Sequence, residues 1–328
     1  MQTERVELGT AAALSRPAKA HPWRGYFFIA SAALCWGAAA TFGKAIFNGN
    51  LFAGSEIISP LVITQTRTTI AALLLTTYLL SRGGTAALRI SARELGLCIL
   101  IGTLGLAGSN FFYYFAIQKT SVAVAITVQY TAPVLVLLYM VFAGRQRPAW
   151  NQIAGVLLAM VGIALVVGLF HSGIRLNALG VGAAMLAAFS FSFYNIAGQG
   201  LVTRNPPLKV MNYALLGSAV LWLVINPPWK LAAHHYSAGQ WGFLFVFACL
   251  SMLLPYVLYF NGLKYLDPTR AVVTSCLEPV FAILLAVIFV HEVVRGLQIV
   301  GIAAVLVATV MVQVQTSDQR NLAANEPK

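Results

Sequence analysis

The chain has 328 residues, of which 59% are hydrophobic and only 9% charged. A soluble domain carries roughly a quarter of its residues as charges, so composition excludes an ordinary globular protein and points to a multi-spanning membrane protein. The formal net charge of +12 is spread over short connections, where it reads as a topology signal and not as a nucleic-acid surface.

Residues 1–25 are polar, basic and small, and are expected to be a cytoplasmic tail. The first apolar stretch runs on to Phe47, too long for the core of a cleaved signal peptide. Ten spans follow: Tyr26–Phe47, Leu61–Leu80, Leu95–Ile117, Val122–Phe142, Trp150–Phe170, Asn177–Gly198, Leu208–Ile225, Trp241–Leu263, Ala271–Val290 and Gly296–Gln313. The seventh is the shortest and stops at Asn226-Pro227-Pro228. Trp23, Trp150, Trp229 and Trp241 stand at span ends, where amphipathic rings favour the membrane interface. Residues 316–328 form a second polar tail. Of the 21 Lys and Arg, fifteen fall on one side of this arrangement, four on the other, and two (Lys44 and Arg67) inside spans. Basic residues concentrate on the cytoplasmic side, so both termini are expected there, which requires an even number of spans.

The sequence repeats. Shifted by 146 residues, Leu95–Val167 lies on Trp241–Gln313 without a gap. Tyr113 then meets Tyr259, Pro133 meets Pro279, and Gln152-Ile153-Ala154-Gly155 meets Gln298-Ile299-Val300-Gly301. Five spans per copy is an odd number, so the second copy enters the membrane upside down. The expected fold is all-α and integral to the membrane, with ten transmembrane helices in two inverted five-helix repeats, residues 26–170 and 176–315. Inverted repeats are a common architecture of secondary transporters, with the solute site near the midplane between the halves.

Several features carry a family resemblance over about Tyr26 to Gln313. They are Trp36-Gly37 in the first span, Arg67 followed by Ala71-Ala72 in the second, the tract from Tyr113 to Pro133, then Leu277-Glu278-Pro279-Val280, His291-Glu292 and Gly301. In these the chain resembles ten-helix permeases of the drug/metabolite transporter superfamily, built from two EamA-type repeats. The resemblance implies a carrier of the bacterial inner membrane with a central cavity lined by spans one, three, four, six, eight and nine. It implies no particular solute. One departure matters: the second repeat has Glu278 before its proline, whereas the first has Ala132.

Glu278 stands inside an apolar span, where a carboxylate costs several kcal/mol. It reads either as a proton carrier and solute contact, or as a structural acceptor beside a bent helix. Pro133 and Pro279 are matched hinge candidates, or static kinks of common origin. Lys44 and Arg67 could attract a carboxylate from within a cavity, Arg67 with a bidentate grip, or could anchor to headgroups and backbone carbonyls. Asn110 and Tyr113 in span three, Gln129 and Tyr130 in span four, Asn195 in span six and Tyr259 in span eight offer amides and aromatic faces to a planar or amphipathic organic solute. Trp36 joins this candidate lining, and the alternative for all of them is hydrogen bonding between helices. Gly155, Gly162 and Gly301 permit close helix packing, within the chain or in a homodimer.

No metal-ligand spacing, phosphate loop or nucleophile motif is visible, so neither cofactor nor enzyme is expected. The function read from the sequence is secondary transport of a small organic metabolite by alternating access. An amino acid-like solute, outward movement and proton coupling through Glu278 complete the reading. The competing class is a membrane assembly or sensor protein that moves nothing.

Overall fold

The computed structural model of the chain describes residues 21–47, 58–120, 122–143, 149–166, 177–233, 236–290 and 296–313. Among these the long elements are all helical: α1 (Pro22–Phe47), α2 (Pro60–Gly83), α3 (Ala92–Lys119), α4a (Val122–Gln129) with α4b (Ala132–Phe142), α5 (Trp150–Val166), α6 (Ala178–Val202), α7 (Pro207–Ile225), α8 (Ala238–Leu263), α9a (Pro268–Ser275) with α9b (Glu278–Val290), and α10 (Gly296–Gln313). Among the described residues, α3, Val124–Phe142, α6, α7 and α8 are each long and apolar enough to cross a membrane, and α5 and α10 are shorter apolar helices.

Local chemistry sets the starts. Ser59 accepts from the Val62 amide and Pro60 opens α2, where its missing N–H costs nothing. Asn177 accepts from the amides of Leu179 and Gly180 to begin α6. Ser237 and Gln240 form a reciprocal capping box at α8. Asp267 accepts from the Arg270 amide and pairs with its guanidinium at 3.1 Å, starting α9a three residues before the apolar run begins. Trp23, Trp150 and Trp229 are exposed at helix ends, where the sequence expected interfacial rings.

Two features depart from a simple reading of the spans. First, α3 and α8 are not uniform α-helices. Wider π turns occupy Ile101–Ala107 in α3 and Cys249–Leu253 in α8, and the 146-residue shift lays one on the other. Second, the fourth and ninth spans, expected as single bent helices, are each broken in two. Backbone bonds tighten at the breaks to three-residue spacing, Thr131 N to Val128 O at 3.1 Å and Leu277 N to Thr274 O at 3.2 Å. Pro133 and Pro279 each fall second in the new helix, inside the first turn, where no N–H is required. The prolines therefore start helices. The broken segments also coincide under the same shift.

The packing exchanges partners between halves. α6 lies against α3 and both parts of α4, and α1 lies against α8 and both parts of α9. α7 packs on α2 and on α3, matched by α2 on α8, and α5 packs along α10. Each repeat thus gives its first helix to the other half, so the copies interlock about a pseudo-two-fold axis. α5 and α10 meet through glycine: a Cβ added at Gly162 would lie 3.0 Å from the Gly301 carbonyl oxygen, and one at Gly301 only 2.7 Å from that of Gly162. These glycines serve contact within the chain.

Candidate functional site

The site is built where the two broken helices face each other. Pro279 has no N–H to offer the carbonyl four residues earlier, that of Ser275, which is left open toward the interior. The Tyr130 hydroxyl, at the break of α4, lies 3.1 Å from that carbonyl oxygen and 2.7 Å from Glu278 Oε2. One hydroxyl proton cannot serve both acceptors at full strength. With Glu278 ionised, Tyr130 donates to the carboxylate. With Glu278 protonated, the carboxylic acid donates to Tyr130, whose own proton is released to the Ser275 carbonyl. Either charge state of Glu278 finds a partner without any atom moving far.

Gly37 fixes the depth of α1 against this point. A Cβ there would lie 2.8 Å from the Glu278 carbonyl oxygen and 2.8 Å from the Ala282 nitrogen, so only glycine lets α1 seat on the first turn of α9b. Trp36, one residue earlier, packs its ring against Tyr256 and Tyr259, with centroids 5.1 and 5.4 Å away. Asn110 Nδ2 donates to the Tyr256 hydroxyl at 2.9 Å and to the Leu106 carbonyl at 2.8 Å. Gln129 Nε2 donates to Ser109 Oγ at 3.2 Å. Tyr113 sits beside Tyr114, ring centroids 5.5 Å apart, within electrostatic range of both Glu278 and Arg67.

Trp36, Asn110, Tyr113, Gln129 and Glu278 each keep part of their surface uncovered, although they converge from α1, α3, α4 and α9 on the middle of the bundle. Rings, amides and one carboxylate from these helices are thereby linked through Tyr256, Ser109 and Tyr130. Tyr130 is almost covered, and reaches Glu278 through its hydroxyl. Asn195 and Tyr259 are different. Both are fully buried, the Tyr259 hydroxyl donates to Asn195 Oδ1, and Asn195 Nδ2 donates to the Phe191 carbonyl at 2.7 Å. Tyr259 backs the Trp36 ring, and Asn195 holds Tyr259 in place. The side chain of Lys44 lies outside the described residues, as do Glu56, Glu292 and the two tails; its backbone is in α1, seven residues beyond Gly37, or about 10 Å along the axis.

Arg67 is 3% exposed, deep in α2. It donates to the Tyr114 hydroxyl and, at 2.9 Å, to the Ser251 carbonyl within the π turn of α8. Among the described residues neither Arg67 nor Glu278 is in an ion pair. The sequence offers Tyr114 and Tyr256 beside Tyr113 and Tyr259 without favouring them, and gives no sign of Ser251. The repeat itself held the signal for Tyr256, because it is the 146-shifted counterpart of Asn110.

The family model of EamA-like transporters matches residues 23–168 and, a second time, 178–314. The chain belongs to the EamA-like transporter family. It is thus a multi-pass membrane protein of the drug/metabolite transporter superfamily. Among curated relatives, this EamA-like transporter is 28% identical over 222 residues to the threonine/homoserine exporter RhtA of Salmonella typhimurium strain LT2, covering 66% of this chain and 71% of that one. It is 26% identical to the uncharacterized transporter YxxF of Bacillus subtilis, covering 65% and 68% of the two chains, and 27% identical to an uncharacterized transporter of Archaeoglobus fulgidus, covering 62% and 73%. A solved crystal structure superposes with a TM-score of 0.70 at 21% identity, covering 92% of this chain and 99% of that one; it shares the fold.

Proposed function

We propose that this protein exports a small amino acid-like solute across a bacterial inner membrane by alternating access, with both termini in the cytoplasm and Glu278 as the proton-coupling group. The observation that carries the reading is Glu278 itself: a carboxylate at the centre of an apolar bundle, partly uncovered, held by a tyrosine hydroxyl that accommodates it with or without its proton. An intramembrane ionisable group facing a polar space is most economically read as part of an ion or solute path. The name of the RhtA relatives supports the solute class, and the positive-inside count supports the orientation.

In this scheme protons enter from outside while solute leaves. Glu278 takes a proton when its space opens outward and releases it when the space opens inward, so an inward-directed proton gradient drives solute out. The sequence shows no phosphate loop, so the driving force is sought in gradients. Uptake and counterflow in proteoliposomes, with a panel of amino acids and nucleobases at two pH gradients, test the reading. Amino acid movement should follow the gradient, and Glu278→Gln should uncouple it while counterflow persists. Gradient-dependent transport that survives Glu278→Gln would return Glu278 to a structural role, and a panel in which no amino acid moves would remove the solute class.

A further inference from the structure

Arg67 is unusual in what it lacks. A guanidinium has five N–H donors. Two hydrogen bonds are seen, both to neutral acceptors, the Tyr114 hydroxyl and the Ser251 carbonyl, while Nε is buried with no partner. The guanidinium carbon lies over the rings of Tyr114 and Phe247, with centroids 5.5 and 5.1 Å away. A buried cation without a counter-charge among the described residues is costly, and the opposite charge at Glu278 is not spent on it. Tyr113 and Tyr256 each lie within electrostatic range of both charges. A cation and an anion that are not paired with each other, with the same two tyrosines near both, are complementary to a molecule carrying the reverse pair.

We propose that Arg67 is the carboxylate-recognition site of this transporter, and that its solutes are zwitterions whose ammonium end is directed toward Glu278. The inference rests on the reading of an amino acid-like solute and adds the group that recognises the acid. On binding, the solute carboxylate takes the place of the Tyr114 hydroxyl and engages Nε–H and an Nη–H as parallel donors, exchanging a neutral acceptor for an anionic one. Tyr114 keeps part of its surface uncovered and stands next to Tyr113, so it is the residue that must yield.

The test uses the full-length protein in proteoliposomes. Counterflow of the best-transported common L-amino acid is competed by the same amino acid, by its amide, which lacks the carboxylate, and by its N-acetyl form, which lacks the ammonium charge. In the wild type the amide should compete about tenfold or more weakly, the scale of one lost charge-assisted contact. In Arg67→Gln acid and amide should compete equally, while discrimination against the N-acetyl form remains. An Arg67→Gln protein that keeps the wild-type ratio of acid to amide overturns the proposal, since a purely structural clamp would change amounts and stability but not that ratio. Should Arg67→Gln fail to fold, Arg67→Lys and thermal stabilisation of the wild type decide: equal stabilisation by acid and amide also overturns it. If the wild type moves no amino acid, the functional reading itself has failed, which is visible without any variant.

Discussion

Asn110 and Tyr256 hydrogen-bond to each other at 2.9 Å, and they are the same position of the two repeats, 146 residues apart. Two equivalent residues can touch only where the axis relating them passes. For an inverted repeat that axis lies in the membrane plane, so this contact marks the middle of the bilayer. Trp36, which packs on Tyr256, belongs to the same level. The pair is also where the symmetry is broken chemically, an amide meeting a phenol.

Tyr130→Phe should uncouple the protonation of Glu278 from its surroundings. Both the carboxylate and the Ser275 carbonyl lose their shared hydroxyl. An unsatisfied buried acceptor costs about 1–3 kcal/mol, so a lower melting temperature is expected, together with a displaced pH dependence of transport. A pH profile identical to wild type would separate Tyr130 from the coupling step.

Gly37→Ala should damage transport out of proportion to the single methyl added. Its Cβ meets the backbone of Glu278 and Ala282, which cannot rotate away as a side chain would. Overpacking of this kind costs about 1–3 kcal/mol. Gly200→Ala, where a Cβ meets nothing within 4 Å, serves as the control in the same thermal melts and flux assays. Equal behaviour of the two variants would mean that α1 does not seat on α9b as described.

Tyr259→Phe should lower stability more than solute affinity. The lost hydroxyl leaves Asn195 Oδ1 without its donor in a fully buried place, again worth about 1–3 kcal/mol. The apparent KM should move little. A large change in KM at unchanged melting temperature would put Tyr259 on the lining after all.

Gly301→Val should disrupt the chain itself. The added branches enter the backbone of Gly162 and Val166, and α5 has no room to retreat without opening its long contact with α10. Loss of folded monomer on size exclusion is expected. A well-folded monomer derived from a dimeric wild type would instead place these glycines between subunits.

The helical class, the ten apolar stretches, the repeat and its inversion were all readable from the chain, because each rests on a one-dimensional quantity: hydropathy over about twenty residues, charge by loop, or a fixed offset. The same is true of Glu278 and the matched prolines, which stand out as exceptions in apolar runs. Sequence could not say that the prolines begin new helices, since that depends on which carbonyls find other donors, as Ser275 finds Tyr130 from 145 residues away. Nor could it separate Asn110, partly uncovered, from Asn195, sealed in the core. These helices are apolar nearly all round, so no periodicity marks an inner face. Which polar side chains keep some surface uncovered, which are sealed in the core, and that Arg67 and Glu278 are not paired with each other, were decided by how the two interlocked halves pack.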